Sequence, residues 1–96
     1  MFIIILTYTK PLDEIEQYVV EHRAFLDEGY KNNYFVASGP QVPRTGGVII
    51  SQLLSRNQLE EIIKQDPFNI HNLANFEIIE FNPIKYHPNF VSFMTK

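Results

Sequence analysis

Phe2-Ile3-Ile4-Ile5-Leu6, followed by Thr7 and Tyr8, is a β-branched run that is apolar on both faces a strand presents. Such a strand belongs inside a sheet, with material packed on each side. Lys10 and Pro11 end it, and proline is well placed in the first turn of a helix. Asp13, Glu14 and Glu16 then put negative charge near the positive end of the helix dipole. Ile15, Tyr18, Val19, His22, Phe25 and Leu26 recur at three- and four-residue spacing, which predicts one helix from Pro11 to Gly29 with Gly29 as its stop. Glu14, Gln17, Glu21 and Glu28 form its solvated face.

Asn32-Asn33 signals a turn into a second strand, Tyr34 to Ser38, ended by Gly39-Pro40. A loop, Gln41 to Thr45, leads through Gly46-Gly47 to a third strand, Val48 to Leu53, so strands two and three form a hairpin with a wide loop. Ser55-Arg56-Asn57-Gln58 has the form of a capping box, and Leu59, Ile62 and Ile63 give the second helix its buried face. Asp66-Pro67 stops that helix, because the residue before proline avoids helical backbone. Phe68 to Leu73 is a short helical turn or loop, and Phe76 to Phe81 is a fourth strand. Strand, helix, strand, strand, helix, strand is the ferredoxin-like βαββαβ order, an α+β fold with an antiparallel four-stranded sheet. Two helices cover one face of such a sheet. The apolar surface of strand one, with Tyr34, Val36, Ile49, Ile78 and Phe81, exceeds what one layer needs, so a homodimer meeting through its sheet faces is expected. Residues 1–83 form the domain. The apolar tail 84–96, with Phe90, Val91, Phe93 and Met94, is expected to pack on its own or on a partner subunit.

Composition narrows the function classes. A net charge of -3 and few, scattered Lys and Arg argue against a nucleic-acid footprint. Cysteine is absent, which removes disulfides, thiolate catalysis and cysteine-ligated metal. Phe2 to Leu6 is too short to span a bilayer and lacks a charged preceding region, so no membrane association is expected and the location expected is cytoplasmic. The three histidines lack short ligand spacing, and neither a metal nor another cofactor is implied.

His22 is the polar residue in the apolar stripe of the first helix, and a buried imidazole needs a hydrogen-bond partner. In the ferredoxin-like topology the end of the second helix approaches the first, which lets Asp66 accept from one ring nitrogen and leaves the other for proton transfer. Taken alone, Asp66 is a turn residue and His22 a core histidine; chemistry requires that the two meet. Ser38, in Ser-Gly-Pro, offers a hydroxyl and nearby backbone N–H groups for an oxyanion. Arg44 in the hairpin loop is an anion-binding candidate. Tyr8, Phe25 and Phe68 suit a cleft for a small aromatic or cyclic ligand. His71 and His87 lie in irregular, exposed segments.

The run His22 to Gly29 (His-Arg-Ala-Phe-Leu-Asp-Glu-Gly), then Ser38-Gly39-Pro40, Asp66-Pro67-Phe68 and Glu77 to Phe81 resemble the YCII-related (YciI-like) proteins. The resemblance covers residues 1 to 83 and implies a dimeric α+β barrel. It matches His22 and Asp66 to the family's characteristic His and Asp, and Ser38 to a position often held by Ser. Some relatives are dehydrochlorinases acting on chlorinated hydroxyquinols, which suits a His–Asp pair. Three functions follow: a small lyase or isomerase with His22 as acid/base, a non-catalytic small-molecule-binding dimer, and, more weakly, a haem-handling or monooxygenase role.

Overall fold

Strand β1 (Phe2–Tyr8) occupies an interior place in the sheet, as its two apolar faces require. A computed structural model describes residues 1–94; Thr95 and Lys96, the end of the expected tail, lie outside the described residues. After β1 come helices α1 (Leu12–Glu16) and α2 (Val19–Lys31), strands β2 (Phe35–Pro40) and β3 (Gly46–Ser51), helices α3 (Arg56–Ile63) and α4 (Pro67–Ile70), and strand β4 (Ala74–Glu80). The strands lie in the order β2-β3-β1-β4 with every neighbouring pair antiparallel. This is the ferredoxin-like α+β fold expected from the element order.

Register separates the two faces. Ile4 lies opposite Ile49 on one side and Ile78 on the other, whereas Ile3 lies opposite Ile50 and Ile79, and Ile5 opposite Val48. Phe2, Ile4 and Leu6 gather with Ile15, Leu59, Ile62, Ile63 and Phe68 into one buried core between sheet and helices. Ile3, Ile5, Val48 and Ile50, on the opposite face, are only half-buried, and Ile79 is 40% exposed.

The expected single helix is two. Gln17 and Tyr18 donate three residues back, to Glu14 and Ile15, which tightens and closes α1; His22 N–H then bonds the Tyr18 carbonyl and the helix restarts. The restart re-aims the chain without a Gly or Pro to announce it. Gly29 is not the stop. Asn33 is, with a φ of 61°, while Tyr34 N–H bonds the Gly29 carbonyl and Asn33 N–H the Tyr30 carbonyl, the paired bonds of a Schellman motif. Gly29 is needed for another reason: a Cβ there would lie 2.1 Å from the Phe35 ring. Asn72, with a φ of 54°, ends α4 by the same pair of bonds, from Leu73 to Phe68 and from Asn72 to Asn69.

Strand bounds also move. β2 starts at Phe35 and runs through Gly39 to Pro40, with a bulge between Phe35 and Ala37, so Ser38 lies within a strand and not at a tight turn. β3 begins two residues earlier than expected, at Gly46, where a Cβ would lie 1.7 Å from the Leu6 carbonyl oxygen. Only glycine lets the two backbones approach that closely. Of the capping box, the half from Gln58 N–H to Ser55 Oγ is present at 3.3 Å. Beyond β4, a 3₁₀ turn (Pro88–Phe93) is capped by His87, and Phe93 and Met94 border a small cavity with Met1, Gln52 and Leu54.

Candidate active site

Asp66 stands at the N-cap of α4, and its Oδ1 accepts from Phe68 N–H at 2.9 Å. Proline at the next position has no N–H, so the cap bond goes to Phe68. The same oxygen lies 2.8 Å from His22 Nδ1. A carboxylate only accepts, so Nδ1 carries the proton and the neutral ring has a bare Nε2. The bond joins two elements 44 residues apart, α2 and the start of α4. Asp66 is completely buried, and the His22 side chain is 14% exposed. The second oxygen, Oδ2, is buried without a hydrogen-bond partner among the described residues. A buried carboxylate in that state depends heavily on the bonds that its other oxygen makes.

The imidazole is held by its face as well as its edge. It stacks on Phe68 with centroids 4.0 Å apart and planes 5° from parallel. Phe68 therefore supplies both the N–H that orients Asp66 and the surface that orients His22. Tyr8 meets the Phe68 ring edge-on at 6.0 Å.

His22, Phe68 and Tyr8 border a cavity of about 410 Å³ between α2 and the sheet, lined also by Glu16, Arg23, Leu26, Ser38 and Arg44. Of the residues expected at a site, His22, Ser38, Tyr8, Phe68 and Arg44 line this cavity, and Asp66 lies behind His22. Phe25 does not line it; one residue short of the cavity-facing Leu26, it turns toward Phe35, 5.9 Å between centroids. Ser38 shares a sheet face with Ile49, its β3 partner. Its hydroxyl is 2.6 Å from the Tyr30 hydroxyl, so the oxyanion role expected for a Ser-Gly-Pro turn loses its turn geometry. Arg44 is not a free cation: it pairs with Glu16 and sits 6.0 Å from the Tyr8 ring. The Glu16 carboxylate, and after it the Tyr8 hydroxyl, push the guanidinium above its ordinary value. His71 stacks on the half-buried Tyr18, 4.1 Å between centroids, and does not line the cavity.

Tyr30, Glu16 and Arg23 escape a reading by sequence. Glu16 reads as dipole compensation, whereas in the structure it ends α1, pairs with Arg44 and lines the cavity. Tyr30 meets Ser38 only because the α2–β2 turn brings the two back together. No group of three or more His, Cys, Asp or Glu able to hold a metal occurs among the described residues. No helix among them is long and apolar enough to cross a membrane.

This fold and cavity define an α+β protein of the ferredoxin-like class. The YCII-related domain matches residues 1–82, and the chain belongs to that family. Among solved structures it is similar to 5-chloro-2-hydroxyhydroquinone dehydrochlorinase from Burkholderia phenoliruptrix AC1100, in complex with 2,5-dihydroxybenzoquinone. The TM-score is 0.71 at 18% identity, covering 85% of this chain and 94% of that one, a likeness of fold. No curated protein sequence matches the chain.

Proposed function

We propose that the protein is a small lyase of the dehydrochlorinase kind, a cytoplasmic homodimer that moves a proton on a small cyclic or aromatic substrate through His22. The observation that carries this reading is the imidazole itself: Nδ1 is tied to a fully buried carboxylate and the ring borders a cavity walled by Tyr8 and Phe68. Asp66 fixes the tautomer and orientation and stabilises the imidazolium once Nε2 has taken a proton. On a chlorinated hydroxyquinol, Nε2 takes a ring hydroxyl proton and returns it to the chlorine-bearing carbon, giving the keto tautomer. It then takes the proton of an enol hydroxyl, whose electrons form a C=O, shift the double bond and expel chloride to leave a hydroxybenzoquinone. The net loss is HCl, and water then takes the proton from His22. The family and the fold likeness to a dehydrochlorinase point the same way. The half-buried apolar stripe of Ile3, Ile5, Val48 and Ile50 supports a second copy covering the sheet.

A second reading, a non-catalytic dimer binding a small molecule in the same cavity, draws on the engagement of Ser38 with Tyr30 and of Arg44 with Glu16. Chloride release from 5-chloro-2-hydroxyhydroquinone separates the two. Wild type should turn the compound over, and His22→Gln should reduce kcat by roughly 10²- to 10⁴-fold, the usual scale of a positioned acid/base, while the fold persists. Equal turnover by the variant would remove His22 from the chemistry. Binding without turnover by wild type would favour the second reading.

A further inference from the structure

We propose that the cavity selects an anionic ring, and that Arg23 is the specificity-determining cation that holds its charge. The inference rests on the acid/base reading of His22 and adds the substrate's charge class. Three fully charged side chains line the cavity among the described residues: Glu16, Arg23 and Arg44. Glu16 is paired with Arg44, so those two charges compensate each other. Arg23 makes no ion pair among the described residues. The cavity wall thus carries one uncompensated positive charge on a chain whose net charge is -3. The buried Asp66 carboxylate, behind the neutral imidazole, carries the other nearby negative charge; it does not line the cavity, and it is compensated once Nε2 has taken a proton.

Arg23 follows His22 directly on α2, so it flanks the same wall about 100° around the helix axis. A guanidinium presents a planar fork of donors that suits a carboxylate or a pair of ionised ring oxygens. Its place beside the base also fits the chemistry. When Nε2 takes a proton, the negative charge left on the ring needs a fixed cation nearby, and His22 with Asp66 has become a neutral pair. Arg44 is the lesser candidate, because an incoming anion would have to displace Glu16 first.

The test measures binding by calorimetry, independently of turnover, using 2,5-dihydroxybenzoate and its neutral amide, two ligands with one ring and different charge. Arg23 is exposed, so wild type should bind the carboxylate about 2- to 5-fold more tightly than the amide, the scale of a solvent-screened ion pair. Arg23→Gln should remove most of that preference by weakening the carboxylate more than the amide, and added salt should weaken the carboxylate more than the amide. Arg56→Gln, on the surface of α3, is the control and should behave as wild type. Equal affinity for the two ligands, or an unchanged preference in Arg23→Gln, would overturn the assignment while leaving the His22 reading standing. A charge preference that depends on Arg23, in a protein whose His22→Gln variant turns over normally, would uphold the assignment and defeat the other reading.

Discussion

At the scale of single residues, Asp66 carries more than its size suggests. One oxygen caps α4 and orients His22, and the other is buried and unpaired. Asp66→Asn keeps a capping oxygen but replaces the carboxylate that accepts from Nδ1 and fixes the imidazole's tautomer. It should cost about 10²-fold or more in turnover, in the range of an acid/base group, with a modest change in Tm. Asp66→Ala removes the cap and the imidazole's partner together, and thermal denaturation should show a loss of roughly 3 kcal/mol, as when one member of a buried pair is removed. Tyr30 offers a cleaner probe. Its ring meets Phe35 edge-on at 6.0 Å, a contact that Tyr30→Phe preserves while freeing the Ser38 hydroxyl. If Ser38 serves the substrate from that position, KM should rise in Tyr30→Phe with Tm nearly unchanged; a fall in Tm with unchanged KM would make the bond purely structural.

At the scale of elements, the two ends that present the cavity residues are set by asparagines in the left-handed region, Asn33 after α2 and Asn72 after α4. Asn33→Ala and Asn72→Ala should each destabilise by roughly 1 kcal/mol, the cost of that conformation for an ordinary residue, whereas the glycine variants should be neutral or stabilising. Denaturant midpoints decide this, and equal effects of Ala and Gly would contradict it. Signals that act over a few residues were legible in advance: the Ser55 cap, the buried Leu59, Ile62 and Ile63, and the uniformly apolar β1. What was not legible depends on distant contacts. Nothing local marks the break at Gln17-Tyr18, and the bulge in β2 shifts Ser38 into the strand through its pairing with β3. Gly29 was misread for the same reason, since the residue that demands a glycine there, Phe35, belongs to the next element. Residue type alone makes His22 a core histidine and Asp66 a turn residue; the element order and the family resemblance bring them forward as a pair, and the packing of α4 against α2 sets the distance between them.

At the scale of the whole molecule, one face of the sheet is sealed by the helices and the other presents Ile3, Ile5, Val48, Ile50 and Ile79. Light scattering after gel filtration should give a dimer mass for wild type, and Ile5→Glu, which places a charge opposite Val48 in the middle of that stripe, should give a monomer. A wild-type monomer would remove the face-to-face assembly. The cavity draws on helices α1, α2 and α4 and on strands β1, β2 and β3, and the His22 imidazole lines it. The most direct test is therefore nitrogen-15 NMR of the His22 ring. With His22 neutral, the proton should reside on Nδ1, hydrogen-bonded to Asp66, and Nε2 should be bare and shift when an aromatic ligand is added. A proton on Nε2, or a ring whose signals ignore the ligand, would contradict the role given to His22.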